Sequence, residues 1–385
     1  MSATLSLCVI AKDEQTQIGC CLSSARPFVD QMVVVDTGST DATTEIARML
    51  GAEVYSVPWQ DDFSLARNAS LEHATGEWIL FLDCDEELDP VTGSELRRAL
   101  DDERYDGYWL RCSNTFNGSL TSFQAFRLFR NHPRHRFEMP VHEQILPSIL
   151  RRSSANRIGQ VPVHIIHHGY EEDQVVGKGK AQRNARLLHK AREQYGETAF
   201  IAFNLGAEAQ RTGDHRLALD YYSRALARSD LNASYTPAMV CSMVQCLMHL
   251  NCHQQAVDLV AQYKRHYPDY TDLVYFAGLA HAELGQVEQA LDCMNQCLAL
   301  GAPPARYFSL QGIGNTWPRA TIKQLVQGVI ASATTLSHQG QLEQALADVA
   351  LALEQLRKTP DEDDFLQLAD TMWGLWQATK MNGTG

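Results

Sequence analysis

The segment from Trp78 to Leu88, WILFLDCDEEL, runs an apolar stretch straight into Asp83, Asp85, Glu86 and Glu87, with Cys84 between the two aspartates. Most acidic clusters are solvated turns. Acids at the end of a buried strand can also hold a hard cation. An Asp-x-Asp pair there offers one carboxylate to a divalent metal and the other to a ribose hydroxyl or a metal-bound water. Mg²⁺ and Mn²⁺ favour such oxygen donors and share them with substrate phosphates.

Three earlier segments carry compatible chemistry. VVVDTGSTD, from Val33 to Asp41, ends a strand on Asp36, which can accept from a nucleobase or ribose, or serve only its own turn. FSLARN, from Phe63 to Asn68, puts Arg67 on a helix, where it meets a phosphate or base carbonyl, or else a surface acid. VIAKDE, from Val9 to Glu14, sets Ala11 and Lys12 at a strand end against which a flat base can pack.

Two later segments offer proton and metal chemistry. MPVHEQI places His142 beside Glu143, a carboxylate able to act as a general base or to pair with Arg134 or Arg136. VHIIHHGY supplies His164, His167 and His168. Alternation along a strand sends His167 and His168 to opposite faces, which disfavours a zinc cluster.

These groups need elements to hold them. LSLCVIA (5–11), MVVVD (32–36), AEVYSV (52–57) and WILFLD (78–83) are continuous apolar runs, as strands buried on both faces require. Helices lie between them. The clearest starts at Ser39-Thr40-Asp41, carries Ile46, Ala47 and Leu50 on one face, and stops at Gly51. The alternation predicts a doubly wound α/β layer, whose ligands sit at the carboxyl ends of the strands. YDGYWLRC, FQAFRLF and VPVHIIHHGY read as the mixed continuation of that layer, and 177–194 as a polar connecting helix.

The second half changes period. Leu205, Gly206, Ala209, Gly213, Ala218, Tyr222 and Ala225 fall at tetratricopeptide-repeat spacing. The pattern recurs with Ala256 and Val260, with Gly278, Gly285, Ala290 and Met294, and with Gly340, Ala345, Val349 and Ala352. GQVEQAL and GQLEQAL are nearly one phrase written twice. The period breaks from Gly301 to Lys323, where an insertion or divergent repeat is expected. The expected domains are 1–175 for the α/β layer, 176–196 for a linker helix and 197–380 for the repeats.

Composition excludes other classes. With 33 Lys and Arg against 46 Asp and Glu, the net charge of −13 argues against a general nucleic-acid or anionic-membrane binder. Hydrophobic residues at 45% and charged residues at 21% describe a globular chain rather than a disordered one. No apolar run approaches the roughly 18 residues of a membrane span. The N-terminus lacks the basic start of a signal peptide, and the ten cysteines form no CxxC pair. A cytoplasmic protein with free thiols is expected.

Taken in order, VIAKDE, VVVDTGSTD, DDFSLARN, ATGEWILFLDCDEEL, FRLFRN, VHEQI and HHGY resemble a family 2 glycosyltransferase of the GT-A fold. The resemblance is closest to the bacterial branch with C-terminal tetratricopeptide repeats, to which the peptide S-glycosyltransferases of glycocin biosynthesis are similar. It covers about residues 4–175 specifically. It implies a nucleotide-sugar donor, UDP-hexose by preference, a divalent metal (Mn²⁺ or Mg²⁺) and inversion at the anomeric carbon. By position, Asp36, Arg67 and Asp83 match its nucleoside-binding places, and Ala11, Lys12, Glu14 and Cys84 are expected to complete the donor-binding set. Asp85 is the metal end of Asp-x-Asp, completed by one histidine, preferably His168. Inversion needs a base opposite the leaving group, and Glu143, with His142 beside it, is the expected catalytic pair. Many relatives have two aspartates where this chain has Asp36-Thr37, so its base contacts differ in detail. The repeats suggest a protein or peptide acceptor, or else a homodimer contact. The competing readings are a transferase for lipopolysaccharide or another saccharide, and a degenerate transferase kept as a binding scaffold.

Overall fold

A computed structural model describes residues 3–116, 119–167, 174–356 and 362–382. The chain divides into two compact units, Met1–Gly213 and Asp214–Gly385. The first carries β1 (Leu5–Ala11), α1 (Ile18–Ala25), β2 (Gln31–Asp36), α2 (Thr43–Met49), β3 (Glu53–Ser56), α3 (Phe63–His73), β4 (Trp78–Leu82) and β5 (Glu86–Leu88). It continues with α4 (Ser94–Leu100), β6 (Gly107–Phe116), β7 (Ser119–Arg130), α5 (Leu146–Leu150), β8 (Ile158–His167), α6 (Gln174–Tyr195) and α7 (Ala199–Arg211).

Within this unit the strands lie in the order β3-β2-β1-β4-β7-β6-β8-β5. The first four are parallel, β7 runs antiparallel to both β4 and β6, and β8 is parallel to β6 and antiparallel to β5. The sheet is therefore mixed, with its continuous apolar strands at the parallel end. Alternation sorts their side chains between two cores. Leu5, Leu7, Val9, Trp78, Leu80 and Leu82 pack with Ile18 and Leu22 of α1 and Leu96 of α4. Cys8, Val33, Ile79 and Phe81 pack on the other face with Leu71 of α3, Phe129 of β7 and Ile149 of α5.

Helix α2 starts later than Ser39. Asp41 binds the backbone and hydroxyl of Thr43, while Ser39 and Thr40 bond to the loop after β1. Those side chains stitch two loops together rather than capping the helix. The division between the units also falls later than expected. Helices α6 and α7 group with the α/β layer, so the first periodic set, Leu205 to Ala225, straddles Gly213.

The second unit contains α8 (His215–Leu226), α9 (Thr236–His249), α10 (His253–Tyr263), α11 (Thr271–Glu283), α12 (Val287–Leu300), α13 (Thr316–His338), α14 (Leu342–Leu356) and α15 (Glu362–Asn382). The periodic residues Ala218, Tyr222, Ala256, Val260, Ala290, Met294, Ala345 and Val349 are all buried, as stacked repeats require. Gly278 lets α11 approach α12, because a Cβ there would come within 2.9 Å of the Cys293 Cβ, which cannot swing aside. The break in period is shorter than expected. It is confined to 301–315, and α13 takes Pro318 into its first turn, where a missing N–H costs nothing. All ten cysteines are free, seven of them buried. Among the described residues no helix is long and apolar enough to cross a membrane.

One buried acid fastens the 301–315 loop. Asp272 of α11, 2% exposed, accepts from the Ser309 hydroxyl at 2.7 Å and the Leu310 N–H at 3.0 Å. Burial outweighs these bonds and raises its carboxyl from 3.8 to about 6. A raised folded-state pKa means that the folded chain takes up the proton first as pH falls, so stability rises on acidification through that window and is lost again as pH rises past 6. Relative to Asp272→Asn, the wild type should gain about 1 kcal/mol between pH 7.5 and pH 5.0 in urea unfolding. Parallel pH profiles for the two chains would contradict this.

Candidate functional site

The end of β4 distributes its residues by the same alternation that builds the two cores. Asp83 follows Ile79 and Phe81 onto the α3 face, and Cys84 follows Leu80 and Leu82 onto the α1 face. The Cys84 thiol is buried and donates to the Ile10 carbonyl at 3.3 Å. Its side chain is therefore core, and only its backbone is left to face a donor.

Asp83 meets two guanidiniums. Arg67 of α3 donates through Nη2 to Oδ1 at 2.5 Å, and Arg127 of β7 donates through Nη2 to Oδ2 at 3.1 Å. Arg127 also reaches Glu86 Oε1 at 2.5 Å, and Glu86 Oε2 accepts the Asp83 N–H at 2.9 Å. Both guanidiniums lie against the Phe81 ring, 4.7 and 4.4 Å from its centroid. Burial disfavours the Asp83 charge, but the two arginines outweigh it and hold the carboxyl well below the usual range. Burial dominates at Glu86 and raises its carboxyl. Glu86 is thus a structural clasp on the turn.

Arg127 is the residue that sequence reading missed. In the β6–β7 register Tyr108 faces Leu128 and Trp109 faces Phe126, so Arg127 is the extra residue of a β-bulge. A bulge re-aims one side chain out of the pleat, here toward Asp83 and Glu86. The only trace in the sequence is broken alternation: Phe126 and Phe129, three apart, belong to the same core.

The loops after β1 and β2 form the neighbouring wall. Ala11 is buried and pairs in register with Asp36. Lys12 Nζ donates to the Gly38 carbonyl at 2.8 Å, and the Glu14 N–H donates to Thr43 Oγ1 at 2.7 Å. Asp36, expected to face the nucleoside, accepts the backbone N–H groups of Gly38 and Ser39 at 3.1 Å. Its carboxylate is engaged by its own turn and keeps further lone pairs for a donor hydroxyl. Gly38 has φ +109, a left-handed backbone that this tight turn requires and side chains disfavour.

Glu143 pairs with Arg67 through the guanidinium Nε, and not with Arg134 or Arg136. Arg67 thereby bridges the acidic turn to the loop after β7. Asn68, next along α3, clamps that loop at Phe137 by two hydrogen bonds, 2.8 and 3.0 Å long. His142 has φ 54 and a buried Nε2 with no hydrogen-bond partner. Burial, partly offset by Glu143 and Glu208, lowers the pKa of its ring and so favours the neutral form.

Asp85 points to a different partner. Its Oδ2 lies 3.0 Å from Nε2 of His167, whose Nδ1 lies 2.9 Å from Asn114 Oδ1. The histidine expected here, His168, lies outside the described residues. Burial opposes charge on His167, but its bond to Asp85 and the nearby acids raise its pKa. Two donors held at about 2.1 Å by one octahedral cation at right angles are about 3 Å apart. The 3.0 Å separation is that of a hydrogen bond, and a single divalent cation that displaced its proton would find the same two donors, with Asn114 bonded to the ring's other nitrogen. Among the described residues no group of three or more His, Cys, Asp or Glu is gathered for a metal. Donor phosphates and water would supply the remaining positions.

Removing Arg127 leaves Asp83 and Glu86 short of their shared cation. Arg127→Met should cost about 3–5 kcal/mol in urea unfolding, the usual penalty for stranding a buried charge. Adding Glu86→Gln should recover part of it. A loss below about 1 kcal/mol would mean that the network does not hold the turn.

A family model described as "Glycosyl transferase family 2" matches residues 6–159. A TPR repeat-containing protein of Synechococcus elongatus is 33% identical over 308 residues, covering 77% of this chain and 75% of that one. The SPbeta prophage-derived glycosyltransferase SunS of Bacillus subtilis is 28% identical over 229 residues, 58% of this chain and 53% of SunS. This chain thus spans about half the length of SunS. Glucosyl-3-phosphoglycerate synthase of Mycobacterium tuberculosis superposes at a TM-score of 0.38 with 22% identity, over 49% of this chain and 79% of that one. With a family 2 model on its mixed-sheet unit and a repeat-bearing relative along most of its length, the chain belongs to glycosyl transferase family 2 and is a glycosyltransferase followed by TPR-like helices.

Proposed function

We propose that this chain is a metal-dependent, inverting glycosyltransferase that moves a hexose from UDP to a protein or peptide acceptor. The observation that carries the reading is the pairing of Asp85 with His167, 3.0 Å apart, directly after an Asp83 held by two arginines. A family 2 transferase needs a place for the leaving diphosphate, and this is the paired oxygen and nitrogen donor set at the β4 end. Bound there, the cation would act as a Lewis acid on the charge that develops as the nucleoside diphosphate leaves.

The chain's own residues divide the remaining work. Asp83, kept ionised by Arg67 and Arg127, faces the donor as a fixed acceptor for a ribose hydroxyl. Ala11 and Lys12 floor the nucleoside side. Inversion in one displacement needs a base on the far face of the sugar. Glu143 has one oxygen engaged by Arg67, and a carboxylate keeps lone pairs for the acceptor's proton. A neutral His142 beside it can take up or relay that proton. The peptide acceptor is supported by the repeat helices and by the resemblance to peptide S-glycosyltransferases.

Asp85→Ala should leave the fold intact and abolish turnover, as should excess EDTA. Wild-type donor hydrolysis in that variant would overturn the metal assignment. Glu143→Gln should slow transfer by about 10²–10⁴-fold while UDP binding, followed by calorimetry with Mn²⁺, changes little. Mass spectrometry of cell extract treated with the enzyme and a panel of nucleotide sugars identifies donor and acceptor together. Label appearing only on saccharide would remove the peptide reading.

A further inference from the structure

We propose that α6, the helix that follows the mixed sheet, is a positioning element of the transferase site, holding both ends of the Arg67–Glu143 pair in place. The proposal rests on the reading of 139–143 as the catalytic loop. Arg186 of α6 grips Asp61 through two nitrogens, at 2.7 and 3.0 Å. Four residues on, Lys190 donates to the carbonyls of Gln60 and Asp61 at 3.3 and 3.1 Å. The guanidinium of Arg183 lies 5.1 Å from the Phe63 ring centroid. Trp59 closes the segment from its other side, its indole N–H donating to Asp61 Oδ1 at 2.9 Å. Three basic residues on successive turns of α6 thus address one short segment, 60–63.

That segment touches the site twice. Asp62 caps α3, accepting the Ser64 N–H at 2.8 Å, and so sets the start of the helix that carries Arg67. The Phe63 N–H donates to the Pro140 carbonyl at 2.9 Å, two residues before His142 and three before Glu143. The backbone on both sides of this contact is left-handed at non-glycine residues, with φ 56 at Asp61, 82 at Met139 and 54 at His142. Such conformations persist only where the surroundings enforce them. Grip from α6 on Asp61 is part of that enforcement, and α6 is itself braced by the Asn184–Glu208 bond to α7, 3.1 Å long. The same grip makes Asp61 a poor substitute for Glu143 as a base.

The Asp61–Arg186 pair is partly exposed, so its loss shifts a loop equilibrium several-fold rather than by orders of magnitude. The test uses the full chain with Arg186→Glu, with Asp61→Asn (which keeps a residue tolerant of φ 56) and with the conservative Arg186→Lys. Hydrogen–deuterium exchange of 138–145 is read together with UDP-glucose hydrolysis in Mn²⁺. The expected result is several-fold faster exchange of 138–145 in the first two variants, with unchanged protection of β1 and β4. Their kcat should fall several-fold at constant donor KM, and Arg186→Lys should restore most of both readouts. Loosening confined to 57–63, or a uniform loss of protection across the sheet, would overturn the proposal. The exchange readout decides the positioning role even if the wild type leaves UDP-glucose untouched. That last result would count against the proposed function alone.

Discussion

Asp83, Glu86 and Glu143 share two buried guanidiniums, Arg67 and Arg127, stacked on one phenylalanine ring. Burial costs each of these ions hydration, Asp83 least because it stays partly exposed, and close pairing offsets that loss. The cluster therefore works as a constraint more than as a source of stability. Arg67 comes from α3, Arg127 from a bulge in β7, the aspartate and first glutamate from the β4–β5 turn, and Glu143 from the loop beyond β7. None of the four can drift without stranding a charge. The turn so fixed is the one that presents Asp85 to His167, and the loop so fixed is the one that presents Glu143.

This arrangement explains why neighbouring acids in one short run have different work. Along Asp83-Cys84-Asp85-Glu86 the chain leaves a strand and enters another, and each side chain inherits a direction from the pleat. Asp83 falls toward the arginines, Cys84 into the α1 core, Asp85 toward β8 and Glu86 back under the turn. A carboxylate fully enclosed by arginine and backbone N–H groups serves structure. One paired only with an imidazole retains lone pairs for a cation.

Much of the parallel half was legible because its strands are uninterrupted apolar runs: β1 occupies the seven residues of LSLCVIA, and the strand ends point to the loops that form the site. Repeats were legible through small residues at fixed spacing, which burial in the second unit reflects. What stayed hidden depends on register. A bulge at Arg127 leaves no composition signal, and the meeting of His167 with Asp85 follows from β8 lying between β6 and β5. The turn bonds of Asp36 were hidden because a carboxylate that binds its own turn and one that awaits a ribose have the same sequence. Helix α6 read as a polar linker for a similar reason: its basic residues look solvated until Asp61 is found opposite them.

In the proposed reaction Asp85 and His167 together hold the divalent cation that receives the leaving diphosphate. Electron spin-echo modulation of Mn²⁺ bound with UDP tests it most directly, since a coordinated imidazole imprints a ¹⁴N coupling on the metal. Coupling to one imidazole nitrogen is expected in the wild type and its loss in His167→Gln. Tight Mn²⁺–UDP binding with no nitrogen coupling, or a coupling that survives in His167→Gln, would contradict it.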